Sequence, residues 1–238
     1  MVITGSGLPR GLFVTGTDTG VGKTRAACAL LRAFAQSGSR AAGMKPVAAG
    51  AVRDAQGWLN EDVAALLAAG NVAAPRRLVN PYCFEPAIAP HIAAARAAVA
   101  IDIEAIAQAF EALSARADVV VVEGAGGFCI PLGRQIDSAG LAQRLGLPVV
   151  LVVGLRLGCL NHALLTAQAV RARGLPLAGW IANRIDPAMA AVAENVAALE
   201  ERLDAPLLAQ WDYAPDAVPA VTAEALQRVA AAAVRRAH

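Results

Sequence analysis

A single doubly wound, mostly parallel α/β sheet with helices on both faces is predicted for this 238-residue chain by three observations. Short apolar runs alternate with longer helical segments, in the order βαβα, which is the pattern of parallel strands joined by crossover helices. Two of the runs, VVVV and VVLVV, are apolar at every position, as strands covered on both faces are. Each run ends at glycine or at a polar residue that could face a ligand. Strands are expected over 12–15, 41–45, 119–123, 149–153, 177–182 and 206–209, and helices over 23–36, 61–69, 103–116, 138–145, 160–173, 188–203 and 223–236. The alanine-rich stretches 88–100 and 188–198 read as helix filler. The segment 76–90 carries Asn80, Pro81, Pro86 and Pro90 and is expected to be a long irregular loop of the kind that often carries function. One domain is expected over 1–238, with residues 1–10 a loose extension.

Composition narrows the function classes. Hydrophobic residues make up 57% and charged residues 17%, which supplies a core on both faces of a sheet and argues against disorder. Lys and Arg number 21 against 19 Asp and Glu, with no basic run or aromatic and arginine cluster, so nucleic acid is not the expected partner. The mean hydropathy of +0.49 comes largely from alanine in segments broken by Arg, Glu, Gly or Pro. No stretch reaches the roughly 20 apolar residues of a membrane span. The opening MVITGSGLPRG lacks a cationic start followed by an apolar run, so a cytoplasmic location is expected. Cys28, Cys83, Cys129 and Cys159 form no CxxC pair and are expected to be reduced and mostly buried.

The sharpest motif is GTDTGVGKT, from Gly16 to Thr24, between the strand LFVT and the helix KTRAACALLRAF. That context reads as a phosphate-binding P-loop. Glycines allow backbone N–H groups to turn towards phosphate, the helix start adds partial positive charge, and Lys23 adds a full one. Thr24 offers a hydroxyl to magnesium. The loop is a variant, since Thr17 stands where the strict pattern has its first glycine.

Acids at the carboxyl ends of other strands are the expected companions of such a loop. Glu123 ends the strand DVVVVEGAGG; Asp62, in NEDVAALLAAG, fits either a metal ligand or a first-turn acid favoured by the helix dipole. Lys45 ends AAGMK, at the same sheet edge as the P-loop, and fits either a solvated strand-end lysine or a second cation at the polyphosphate. Two lysines there point to phosphoryl transfer rather than nucleotide storage. Asn183 by itself reads as a turn residue. His91 and His162 lack a second ligand at metal spacing and read as structural.

Five segments in register, GTDTGVGKT, GMKPVAAG, VNPYCFEPAIAPH, VEGAGG and VGLRLGCLNHALLTAQ, resemble the dethiobiotin synthetases over about Gly11 to Asn183. The resemblance implies a P-loop NTPase type of fold and a homodimeric carbon–nitrogen ligase of biotin synthesis. It takes 7,8-diaminononanoate, CO2 or bicarbonate and ATP through a carbamate and a carbamic-phosphoric anhydride. It further implies magnesium on Thr24, Asp62 and Glu123, and the triphosphate on Lys23 and the backbone of Gly20, Val21, Gly22, Thr24 and Arg25. Lys45 and Lys23 become catalytic. Backbone groups of Gly124, Ala125 and Gly126 also line the ligand site; Asn183, Asp212, Tyr213 and Ala214 lie on the adenine side; and Thr19, Ala49 and Asn161 touch the second substrate, Asn161 across the dimer interface. By its position alone Asn161 also fits a plain N-cap.

The sequence departs from the family pattern where many members have an acid at Gly20 and a serine at Ala49, and where AQWD, Ala209 to Asp212, replaces the usual GEIP run. A rival of another class is a P-loop switch ATPase of the partitioning type. Such proteins carry an additional lysine early in the loop, where Asp18, Thr19 and Gly20 stand here. An amidotransferase type of synthase needs a glutaminase domain, for which no room is expected after Asn183.

Overall fold

The computed structural model describes residues 9–55, 57–214, 217 and 219–235. In chain order the elements are β1 (Gly11–Gly16), α1 (Lys23–Gln36), β2 (Ala41–Met44), β3 (Val47–Ala49), β4 (Ala51–Asp54), β5 (Gly57–Asn60), α2 (Glu61–Ala69), α3 (Arg76–Val79), β6 (Tyr82–Phe84) and α4 (Pro90–Arg96). There follow α5 (Ile103–Ser114), β7 (Val119–Gly127), α6 (Ser138–Leu145), β8 (Val149–Leu155), α7 (Cys159–Ala172), β9 (Leu177–Arg184), α8 (Val192–Leu203), β10 (Leu207–Trp211) and α9 (Ala223–Arg235).

Six strands form one sheet in the order β10-β9-β8-β1-β7-β2, every neighbouring pair parallel. Alternation explains why both faces are covered. Val119 and Val121 of β7 join Leu30, Leu31 and Phe34 of α1 in one core, while Val120 and Val122 join Ile106, Phe110 and Leu113 of α5 in the other. A strand that is apolar at every position therefore serves two layers, as the sequence predicts.

The segment 76–90 is not the irregular loop expected. Pro75 caps α3, and β6 pairs in parallel with β3, Val47 facing Tyr82 and Ala49 facing Phe84. Asn80 Nδ2 donates to the carbonyls of Lys45 (2.6 Å) and Tyr82 (2.9 Å), and Lys45 N donates to Val79 O at 2.8 Å. Prolines thus begin and end short elements whose backbone groups are paired across to Lys45–Ala49, a nonlocal pattern that periodicity does not register. The hairpin of β4 and β5 was likewise absent from the sequence expectation.

The helix expected over 188–203 begins only at Val192, after a turn in which Asp186 accepts from Ala188 N and Ala191 has φ 51°. The alanine-rich stretch after Ile88 is helical only over α4. Of the loose extension expected over 1–10, residues 1–8 lie outside the described residues, but Pro9 is buried and Arg10 pairs with Glu111 and stacks on Phe110, so the last two positions belong to the fold. Residue 236 of the last expected helix also lies outside the described residues. Cys28 and Cys159 are buried, but Cys83 is half-buried and Cys129 exposed, against the expectation of mostly buried thiols.

Candidate active site at the carboxyl edge of the sheet

The P-loop runs from the end of β1 to the start of α1. Thr17, in place of a first glycine, donates its N–H to Val152 O at 3.0 Å and accepts from Gly154 N at 3.3 Å through its hydroxyl, so the variant residue ties the loop to β8. Gly22 is required for two reasons: its φ is +93°, and a Cβ there would stand 2.4 Å from Asn183 Nδ2. No side chain caps α1, which leaves its first N–H groups available to an anion.

Lys23 is 6% exposed and donates to Asp18 O at 2.9 Å. Burial first, and the charge of Lys45 second, bring its pKa down to about 8. The Asp18 carboxylate is meanwhile held by Arg156 at 2.6 Å. Both residues stand within the sequence motifs, but neither has an assigned role there; only the approach of the loop after β8 reveals the pair.

The other charged groups converge next to Lys23. Asn60 caps α2 by accepting from Asp62 N at 3.0 Å, and this fixes where Asp62 sits; an asparagine just before an acidic first turn was the available signal. Lys45 Nζ lies 2.6 Å from Glu123 Oε1 and 2.9 Å from Asp62 Oδ2. The Thr24 hydroxyl lies 2.7 Å from Asp62 Oδ1 and 2.9 Å from Glu123 Oε1. Lys45 is therefore no solvated strand-end lysine, and Asp62 is more than a helix-dipole acid.

Burial opposes the charge on Lys45, but the carboxylates of Glu123 and Asp62 outweigh it and hold the ammonium above the usual lysine range. For Asp62, burial is outweighed by Lys45 and by the Thr24 hydroxyl, and its pKa is lowered. Glu123 is 1% exposed, and burial, aided by the charge of Asp62, pushes it up despite Lys45.

A cavity of about 470 Å³ opens beside this cluster. Lys45, Asp62 and Thr19 form its polar end, while Ala49, Ile88 and Ile130 are among its apolar walls. Ala125 and Gly126 also line it, so the glycine-rich end of β7 does border the cavity. Gly124 has a tighter packing reason, because a Cβ there would meet the Phe13 ring at 3.1 Å. The wall residues Ala87 to Pro90 belong to the segment expected to carry function, but their place at the cavity is legible only from the β3–β6 pairing that brings them here.

A model of the AAA domain family matches residues 10–221. An ATP-dependent dethiobiotin synthetase of Nitrosospira multiformis is 59% identical over 207 residues, 87% of this chain and 90% of that protein. One from Aromatoleum aromaticum is 57% identical over 219 residues, 92% of this chain and 97% of that protein. This chain is a member of the dethiobiotin synthetase family. Among solved structures, a ParA family ATPase of Chlorobium tepidum superposes with a TM-score of 0.53 at 14% identity, covering 95% of this chain and 91% of that one. The MinD cell division protein of Aquifex aeolicus gives 0.51 at 18% identity, covering 92% and 86%. These two share the P-loop fold alone, so the rival switch reading has a common scaffold with this dethiobiotin synthetase family member and nothing finer.

Residues expected on the adenine side are placed unevenly in this family member. Asn183 is buried under the P-loop, with Nδ2 donating to Val21 O at 2.8 Å and Oδ1 buried without a partner among the described residues. Ala214 O accepts from Arg25 Nη2 at 2.8 Å, whereas Asp212 and Tyr213 are exposed. Asn161 is not the N-cap of α7, a position taken by Gly158; it is exposed in the first turn of the helix and is not among the residues lining its own chain's cavity.

Proposed function

We propose that this chain acts as one unit closing the cyclic urea of dethiobiotin from 7,8-diaminononanoate, CO2 and ATP. The observation that carries the reading is the convergence of Lys45, Lys23 and two carboxylates around Thr24, at the mouth of a cavity with a charged end and apolar walls. An alkyl chain suits those walls, and a carbamate suits the cationic end. One amine adds to CO2, forming an N–C bond and losing a proton. The carbamate oxygen then attacks the γ-phosphorus, and ADP leaves. The second amine attacks the carbamoyl carbon and loses a proton, the C–O bond to phosphate breaks, phosphate leaves, and the ring closes.

Two anions must meet in the second step. Lys45 stands on the carbamate side and Lys23 on the triphosphate side, so their charges offset that repulsion. The Lys45 ammonium is held by Glu123 and Asp62, which keeps it charged and aimed.

The oxygen donors also fit magnesium. The Thr24 hydroxyl has one proton for two carboxylates, and Glu123 Oε2 is buried with no partner among the described residues, so the cluster has acceptors to spare. Magnesium takes oxygen donors and keeps several positions for phosphate oxygens and water, so two carboxylates and a hydroxyl suffice on the protein side. Thr24, Asp62 and Glu123 would hold that ion, and when bound it supplies charge neutralisation to the triphosphate.

A homodimer is supported by the start of α7, where Leu157, just before the helix, is 95% exposed and Leu165 is exposed one turn on from Asn161. A second copy covering them would explain why Asn161 is not among the residues lining the cavity of its own chain. No helix among the described residues is long and apolar enough to cross a membrane.

The deciding assay combines purified protein, labelled bicarbonate, diaminononanoate, magnesium and ATP. Labelled cyclic urea with equimolar phosphate supports the reading. ATP hydrolysis indifferent to the diamine but raised by a protein or DNA partner would transfer support to the switch.

Two smaller predictions follow from the nucleotide side. With Lys23 near 8 in the free protein, ATP binding above that pH must recapture a proton, so affinity is expected to fall by up to about tenfold per pH unit. Titration calorimetry in buffers of different ionisation enthalpy reads that proton uptake directly. The unpaired Asn183 Oδ1 favours a base with an amino group at the 6-position of adenine or the 4-position of cytosine, where guanine and uracil carry a carbonyl oxygen that would repel it. ATP and CTP are expected to outperform GTP and UTP by about tenfold in kcat/KM, a difference that Asn183→Ala removes.

A further inference from the structure

Sheet order divides the site. The P-loop follows the central β1; the cavity with Lys45 and Glu123 lies towards β7 and β2, whereas Asn183 and the segment after β10 lie towards the opposite edge. On that opposite side Arg25, in the first turn of α1, extends its guanidinium to two backbone carbonyls, Ala214 O at 2.8 Å and Ala217 O at 3.1 Å. Those carbonyls belong to one turn, closed by Ala217 N donating to Ala214 O at 3.2 Å. The far end of the segment is held separately, by Trp211 Nε1 donating to Ala220 O at 3.1 Å. The same helix turn whose N–H groups are free for phosphate thus also holds the segment that follows β10.

We infer that Arg25 is a positioning residue for the nucleotide base: its side chain, not only its backbone, sets the loop that borders the base end against the P-loop. The inference rests on the nucleotide placement proposed above, with phosphates at β1 and base towards β9 and β10. A guanidinium suits this role because its planar fork presents several donors in fixed directions, so two carbonyls can be held by one side chain. An ammonium could serve them less rigidly.

The test is direct binding of ATP and GTP to the full chain by calorimetry with magnesium and without the diamine, for wild type, Arg25→Ala and Arg25→Lys. Arg25→Ala is expected to weaken ATP binding by about tenfold and to narrow the preference for ATP over GTP. Arg25→Lys should recover part of both. The KM for the diamine, whose cavity lies across the P-loop, should change much less than that for ATP. Unchanged ATP affinity and base preference in Arg25→Ala would overturn the inference, and so would equal loss of affinity for both nucleotides and the diamine, the mark of general loosening. Because binding is read without turnover, a protein that ignored the diamine yet lost ATP affinity in Arg25→Ala would defeat the proposed function and uphold the role of Arg25.

Discussion

Lys45→Ala is expected to lower turnover by about 10²- to 10³-fold while ATP affinity stays within about threefold, because the lost charge serves the group being transferred to rather than the bound triphosphate. The separation is built into the geometry: Lys23 lies on the P-loop at Asp18 O, whereas Lys45 Nζ sits between Glu123 and Asp62 on the cavity side. The substitution also strands a buried carboxylate. Removing one partner of such a pair costs about 3–5 kcal/mol, so the melting midpoint should drop unless magnesium fills the place. Lys45→Gln, which keeps hydrogen bonding to Glu123 without the charge, guards against reading misfolding as chemistry. Calorimetric ATP affinity alongside steady-state turnover checks the claim, and parallel loss of both in Lys45→Gln would contradict it.

Glu123→Gln carries the second large effect. The variant is nearly isosteric, yet it removes one negative charge from the Thr24 and Asp62 cluster and leaves Lys45 paired with Asp62 alone. The magnesium concentration for half-maximal rate is expected to rise by about 10–100-fold, with turnover at saturating metal down by about 10²-fold. The pH behaviour distinguishes the cause. Burial raises the pKa of Glu123, so in the wild type apparent magnesium affinity should decline on acidification at a higher pH than an ordinary glutamate would give. Glu123→Gln mimics the protonated state and should lose that limb. A variant whose magnesium dependence matched the wild type at every pH would show that Glu123 is no ligand.

The chain contains two lysines, Lys23 and Lys45, and both are in the site. Reductive methylation would therefore give two side-chain lysine signals by NMR besides that of the amino terminus, one of which should titrate near 8 as Lys23.

Much of the frame was legible because its causes are local. The spans of α1, α2 and α6 agree with expectation, since periodicity and flanking turn residues act over a few positions. The P-loop was legible for the same reason: strand, glycine turn, GKT and helix are contiguous. The segment 76–90 was misread because its prolines are local signals of irregularity, whereas the bonds that order it run to Lys45, Pro46 and the strand that follows. Asn183 looked like a turn residue and is instead buried under Gly22, a contact that joins positions 162 apart at Val21.

The sequence by itself determined the α/β class, the anion-binding loop and the family, because alternation, turn chemistry and motif order need no knowledge of who neighbours whom. Only the tertiary structure decided that Lys45 is an enclosed ion-pair partner, that Asp62 and Glu123 share one hydroxyl, and that Arg25 reaches the far loop. Those facts depend on strand order and register, which bring together residues 78, 38, 99 and 189 positions apart. A carboxylate's protonation and a lysine's charge are set by such neighbours and by exclusion of water, neither of which is written in the residues on either side of it.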